Sequence, residues 1–154
     1  TNPEAVKRIY DIKKRADNKS MLVLLDDAGK IASYADVPDI ALDLIEVADK
    51  PTTIIYPGAK RLAPNLIAED GTIGIRITRE EFTRSLIFRY NKPIVSTSAN
   101  ISGEPSPHFF GEISEEIKNA VDYIVDYRRN DHNPAAPSSI IKLGMGGEIQ
   151  IIRK

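Results

Sequence analysis

The chain has 154 residues, a length that suits one domain able to bury a real core. Apolar residues make up 42% and charged residues 28%, which excludes a disordered or fibrous chain. The net charge of −1 excludes a whole-molecule field that would attract nucleic acid or anionic lipid, so any bound anion must meet a local cluster of cations.

Two absent features further narrow the classes of protein and of functional site that the sequence allows. There is no cysteine, which excludes disulfides, thiolate nucleophiles and zinc-thiolate sites and suits a reducing compartment. No apolar run approaches the roughly 18 residues of a membrane span, and no signal-peptide pattern is visible. We therefore predict a cytoplasmic protein without a membrane partner.

The first half of the chain predicts helices and strands in alternation. TNPEAVKRIY predicts a helix capped by Thr1 or Asn2, with Val6 and Tyr10 on one apolar face. Further predicted elements are two strands around a polar turn at 26–30 within residues 21–35, a helix within 36–50, and strands at 52–56 and 72–78. In the last of these, the isoleucines alternate with Gly74 and Arg76, so Arg76 should face away from them.

The second half continues the alternation. Thr78 to Glu81 form a capping box that predicts a helix through Tyr90. Further predicted elements are a strand at 92–97, a helix at 114–121, a strand at 123–127 and a hairpin over 138–154 that turns at 144–147. The sequence therefore predicts an α/β fold with a mixed, twisted open sheet and without internal repeats.

Most of the reactive side chains have ordinary explanations. His108 and His132, the only histidines, lack a ligand-like spacing, and surface loops account for both. The glycines between 144 and 147 lie between two strands, which favours a hairpin turn over a phosphate loop. No acid/base dyad is visible, and we predict no protein-metal site.

Two short pairs remain. Lys13 and Arg15 lie at a predicted helix end, where the helix dipole already favours cations, and they can share one anion only if the helix has ended there. Ser98 and Asn100, in VSTSANISGEPSP, would project to one side at the end of an extended strand. A turn stabilised by its own Ser and Asn side chains is the alternative explanation.

These pairs carry a resemblance. Lys13-x-Arg15 and Ser98-x-Asn100 in STSANISGEP, together with TIGIR and APSSII, resemble the YrdC-like family of threonylcarbamoyl-AMP synthases along essentially the whole chain. The resemblance implies a concave basic cavity that binds ATP, L-threonine and bicarbonate and releases pyrophosphate. It also implies a downstream tRNA threonylcarbamoyl transferase complex that uses the product to modify tRNA.

The resemblance also implies site residues. Lys13 and Arg15 would be catalytic, and Ser98 and Asn100 would contact nucleotide and substrate. Further binding positions would be Thr53, Arg76, Ser96, Ser139 and the late arginine Arg153. We expect Mg²⁺ to be held mainly by phosphate oxygens, since the sequence offers no protein-metal motif.

The sequence departs from the family in three places. The family begins with a strand-helix-strand unit ending in a Pro-Thr-[Asp/Glu]-Thr-x-Tyr-Gly loop, which the sequence does not contain. We therefore expect residues 1–154 to be an N-terminally incomplete YrdC-like domain that is nearly inactive without residues preceding Thr1. Ala16 stands where the family usually has Pro, and Asp49-Lys50-Pro51 where Pro-Gly-Pro is common.

Two other functions stay open at this point. The same fold could be a module that binds tRNA or double-stranded RNA, although neutral net charge and 6% aromatic residues give this weak support. It could also be the carbamoyl-transfer domain of hydrogenase maturation factors. Salt-dependent RNA binding without nucleotide hydrolysis would favour the first, and activity with carbamoyl phosphate the second.

Overall fold

The computed structural model describes residues 2–15, 21–134 and 137–154. The helices are α1 (Pro3–Lys13), α2 (Ile40–Val47), α3 (Glu81–Tyr90) and α4 (Glu115–Ala120). The strands are β1 (Leu22–Leu25), β2 (Thr52–Tyr56), β3 (Ile73–Ile77), β4 (Ile94–Ser96), β5 (Ser139–Leu143) and β6 (Ile149–Arg153). Within the described ranges, no helix is both long and apolar enough to cross a bilayer.

The six strands form one mixed sheet. Their order is β4-β1-β3-β2-β5-β6. The pairs β1–β3 and β2–β5 are parallel, and the other three pairs are antiparallel. This confirms the predicted α/β fold with a mixed open sheet.

One face of the sheet carries the core. Ile75 of β3 pairs with Val23 on one side and Ile54 on the other, and all three are buried. Val6 and Tyr10 of α1 pack into the same cluster, as their shared helical face predicts. Because successive side chains of a strand alternate, the neighbours Gly74 and Arg76 face the other side of the sheet.

Most of the predicted elements are confirmed, including α1 with its Asn2 cap and the helix α4, which the structure shows to be capped by Ser114. The strand predicted after the polar turn at 26–30 is wrong, because residues 28–33 form a 3₁₀ helix. The Asp27 carboxylate accepts a hydrogen bond from the Gly29 N–H at 2.7 Å and so caps that helix. The buried Ile31 then anchors it to the core.

The predicted strand at 123–127 is also wrong, since that segment has no regular structure. No strand of the described sheet pairs with it. Tyr127 instead stacks on Phe82 with ring centroids 4.7 Å apart and donates its hydroxyl to Glu80 at 3.0 Å. The segment therefore has the aromatic and β-branched residues typical of a strand, but among the described residues it lacks the neighbouring strand that it would need in order to form one.

The predicted capping box of α3 is wrong in its capping residue. The N-cap is Glu80, whose carboxylate accepts from the Phe82 N–H at 3.1 Å and the Thr83 N–H at 2.8 Å. Thr78 is buried, and its N–H extends the β1–β3 pairing by donating to the Leu25 carbonyl. A residue held in the sheet in this way is not available to cap the helix.

Replacing the cap should destabilise α3. We expect Glu80→Ala to lower the free energy of unfolding by about 1 kcal/mol or more, since two N–H groups and the hydroxyls of Thr83 and Tyr127 lose their acceptor. Urea denaturation measures the change. The control is Glu81→Ala on the exposed first turn, and an equal loss in both variants would contradict the assignment of the cap.

Candidate functional site

A cavity of about 490 Å³ opens on the face of the sheet opposite the core. It is lined by Arg15, Met21, Leu22, Thr53, Ile55, Ala68, Thr72, Gly74, Arg76, Ser96, Thr97, Ser98, Ser106, Pro137, Ser138, Ile140 and Arg153. All six strands and the loops after α1 and β4 contribute to this lining. The cavity therefore draws its residues from the whole length of the chain.

The structure brings six of the nine predicted site residues together on this lining. They are Arg15, Thr53, Arg76, Ser96, Ser98 and Arg153. The other three, Lys13, Asn100 and Ser139, lie beside the cavity wall and do not line it. Their functional roles stay predictions, but their contacts are defined.

Lys13 connects α1 to the loop that follows β4. Its side chain is 3% exposed, and Nζ donates to the carbonyls of Ser98 at 2.5 Å and Asn100 at 2.7 Å. Burial, and then the charge of Arg15, lowers the pKa of the Lys13 ammonium. Lys14 has a left-handed φ of 48°, so the helix ends here and the following Arg15 turns to the cavity.

Ser98 and Asn100 lie beyond the end of β4 at Ser96, in a loop, which corrects their placement on an extended strand. Ser98 lines the cavity. The Asn100 amide donates instead to the carbonyls of Ile101 at 3.1 Å and Glu104 at 2.8 Å. The turn-stabilising alternative thus accounts for the contacts of Asn100.

The cavity is electropositive. Three guanidiniums line it, from Arg15, Arg76 and Arg153, and no carboxylate is among its described lining residues. No salt bridge within the described ranges involves Arg76 or Arg153. Burial, followed by the nearby charge of Arg153, lowers the pKa of Arg76. Such a cluster can offset the charge of a polyanionic ligand.

Sequence reasoning missed two notable lining residues. A Cβ at Gly74 would lie 3.3 Å from Leu22 Cβ and 3.5 Å from Thr53 Cγ2, so the glycine keeps the cavity floor open. A glycine inside a strand is the sequence signal that could have indicated this close approach. Ser138 lines the cavity in place of the predicted Ser139, whose hydroxyl is buried without a described partner. Strand alternation with Ile140 could have indicated Ser138.

A salt bridge clamps one rim of the cavity. Asp70 accepts from Lys142 Nζ at 2.5 Å and from Thr72 Oγ1 at 2.6 Å. It thereby ties the loop that carries Ala68 and Thr72 to strand β5. These hydrogen bonds, that of Lys142 first, lower the pKa of Asp70 to about 2.

Both histidines lie outside this cavity. The His108 backbone N–H donates to Glu112 at 2.7 Å, and the His132 ring lies edge-on to Phe109 with centroids 5.0 Å apart. Among the residues that the structure describes, no group of three His, Cys, Asp or Glu side chains could hold a metal ion.

The sequence family agrees with this architecture. A family model named for Sua5, YciO and YrdC, and described as telomere recombination, matches residues 1–154. The chain belongs to the Sua5/YciO/YrdC family. This confirms the resemblance found in the sequence.

Named relatives share much of the sequence. A Methanocaldococcus jannaschii protein provisionally named threonylcarbamoyl-AMP synthase is 38% identical over 143 residues, which cover 92% of this chain and 66% of that protein. The threonylcarbamoyl-AMP synthase of Pseudoalteromonas translucida is 28% identical over 152 residues, covering 96% of this chain and 80% of that protein. The chain thus spans just under two thirds of the archaeal relative.

Solved structures share the fold. Escherichia coli YciO, at 22% identity, superposes over 98% of this chain and 73% of its own with a TM-score of 0.80. Sua5 from P. abyssi, complexed with L-threonine, is 25% identical over 92% of this chain and 42% of its own, with a TM-score of 0.79. HypF in a phosphate- and nucleotide-bound form is 26% identical over 99% of this chain and 24% of its own, with a TM-score of 0.82.

The Asp70–Lys142 salt bridge at the cavity rim should make the stability of the protein depend on pH. The Asp70 pKa is about 2 in the folded chain, below the ordinary value of 3.8. Its contribution is therefore complete above about pH 4 and is lost as the pH falls through 2. We expect Asp70→Asn to lower the melting temperature at pH 7 and to match the parent chain near pH 2.

Thermal unfolding across this pH range measures the effect. The control is Asp39→Asn, because Asp39 is exposed at the start of α2 and its side chain caps nothing. A melting temperature of Asp70→Asn that stayed below that of the parent chain by the same amount from pH 7 to pH 2 would contradict a stabilising role of the Asp70–Lys142 salt bridge.

The contacts of Asn100 predict a loss of stability. We expect Asn100→Ala to lower the free energy of unfolding by about 1–2 kcal/mol, since the Ile101 and Glu104 carbonyls lose their donor. Urea denaturation measures this, with Asn119→Ala on the exposed face of α4 as the control. An unchanged unfolding free energy together with weaker ATP binding would show that Asn100 acts on the ligand alone.

Proposed function

We propose that this chain makes threonylcarbamoyl-AMP from ATP, L-threonine and bicarbonate and releases pyrophosphate, supplying a tRNA-modifying transferase. The observation that carries the proposal is the convergence of three arginines with the hydroxyls of Thr53 and Ser98 in one cavity. The names of the bacterial and archaeal relatives support the reaction, and the L-threonine complex of Sua5 supports the substrate.

The chemistry makes electrostatic demands. The threonine amine and bicarbonate combine with loss of water to give a carbamate. One carbamate oxygen then attacks the α-phosphorus of ATP, a new P–O bond forms, and the bond to the β-phosphate oxygen breaks so that pyrophosphate leaves. Nucleophile and leaving group are both anions, so the reaction needs position and positive charge more than a covalent protein nucleophile.

The described residues can meet these demands. Arg15, Arg76 and Arg153 would offset charge on the phosphates and the carbamate. Ser98 would orient the nucleotide, and Lys13 would keep that loop in place through its two carbonyl contacts. A Mg²⁺ ion bound to the ATP phosphate oxygens would shield the departing pyrophosphate.

The decisive assay supplies ATP, Mg²⁺, bicarbonate and labelled threonine and looks for the acyl-adenylate by chromatography. We expect detectable acyl-adenylate in the complete mixture, however small the yield, and none when bicarbonate is removed. Calorimetry with ATP runs in parallel. A chain that binds no ATP and forms no product would overturn the proposal.

Arg15 should matter for turnover far more than for folding. We expect Arg15→Ala to reduce the rate about 10²–10³-fold, the usual cost of one charge-stabilising donor, with a small change in melting temperature. The control is Lys14→Ala, which removes a surface cation paired with Glu116 at 2.7 Å. Equal activity of Arg15→Ala and the parent at saturating ATP would remove Arg15 from the site.

A second candidate is carbamoyl transfer, which the fold-wide match to nucleotide-bound HypF favours. The same assay separates the two, with carbamoyl phosphate replacing bicarbonate and threonine. Adenylate formation from carbamoyl phosphate alone would support this candidate. Dependence on threonine would support threonylcarbamoyl-AMP synthesis.

A further inference from the structure

Arg153 reaches the cavity from the end of an edge strand. All five residues of β6 are exposed, so the sheet packs little against this side chain. Its position depends on the Ser138 carbonyl, which accepts from Arg153 Nε at 2.8 Å and from Nη2 at 2.6 Å. Two donors on one acceptor define the direction of the guanidinium as well as its distance.

The Ser138 carbonyl is itself fixed from inside the sheet. Ser138 is 4% exposed, and its Oγ lies 2.9 Å from Thr53 Oγ1, which is 2% exposed. Thr53 belongs to β2, which has neighbours on both sides. The next N–H, of Ser139, donates to the Pro51 carbonyl at 3.0 Å. A chain of contacts thus leads from an interior strand through Ser138 to the guanidinium.

Arg153 needs such an anchor because of its neighbour. Arg76 lines the same cavity from β3, and burial, followed by the charge of Arg153, lowers the pKa of Arg76. Like charges repel, and the repulsion favours rotation of the exposed Arg153 side chain into solvent. Three hydrogen bonds to Ser138, two to its carbonyl and a longer one of 3.4 Å from Nη2 to its hydroxyl, oppose that rotation. They keep the positive charge at the cavity before an anion arrives.

We propose that Ser138 is a positioning residue whose hydroxyl, bound to Thr53, holds the carbonyl that aims Arg153 into the cavity. The proposal deepens the proposed function and rests on it only for the identity of the anion. The series of hydrogen bonds from Thr53 through Ser138 to Arg153 is present without ligand, so it can be tested in the protein alone.

The first test needs no ligand. The Arg153 Nε–H, bonded to Ser138, should give a separate, slowly exchanging signal in ¹⁵N NMR, assigned by its loss in Arg153→Gln. We expect Ser138→Ala to broaden or remove this signal and Ser138→Thr, which keeps the hydroxyl, to retain it. The exposed-serine control Ser85→Ala should leave it unchanged. An unaltered signal in Ser138→Ala would overturn the proposal.

The second test is a double-mutant cycle for ATP binding by calorimetry. We expect Ser138→Ala to weaken binding about tenfold, and to add no further loss in the Arg153→Gln background. Losses that add fully would show that Ser138 acts independently of Arg153, which would overturn the positioning role. If no variant and no parent chain binds ATP, the proposed function fails, while the NMR result still decides the role of Ser138.

Discussion

The fold depends on a central strand, β3, that must satisfy two different environments at once. Ile73 and Ile75 complete an apolar core, while Gly74 and Arg76 between and after them face a polar cavity. A slip of one residue would exchange these faces and bury a guanidinium among isoleucines. Pairing of β3 with β1 and β2 on its two sides prevents that slip, so the register of the sheet and the placement of the cavity are a single requirement.

The periodicity of apolar and polar residues was sufficient to predict most of the strands and helices. It failed where one local contact outweighed the pattern. At residues 28–33 the Asp27 carboxylate caps a 3₁₀ turn, and a segment predicted as a strand winds instead. At residues 123–127 the residue types suit a strand, but strand formation requires a hydrogen-bonding neighbour, and sequence periodicity does not reveal whether one is available.

The candidate site was predictable in residue type and less so in geometry. Arg15, Arg76, Ser96 and Ser98 belong to strings that resemble a family, and all four line the cavity. Lys13 and Asn100 belong to the same strings, yet their polar atoms bind backbone carbonyls. The Lys13 contacts cross more than eighty residues of chain, and no local pattern encodes a partner at that distance.

The dispersal of the cavity lining along the chain has a consequence for how the protein acquires its function. Residues from Arg15 to Arg153 meet only when the parallel pair β1–β3, the parallel pair β2–β5 and the closing hairpin have all formed. Such non-local contacts form slowly, because distant segments must meet before the pairing stabilises them. The protein should therefore begin to bind an anion only in the last steps of folding. A partly folded chain on the ribosome would not bind one.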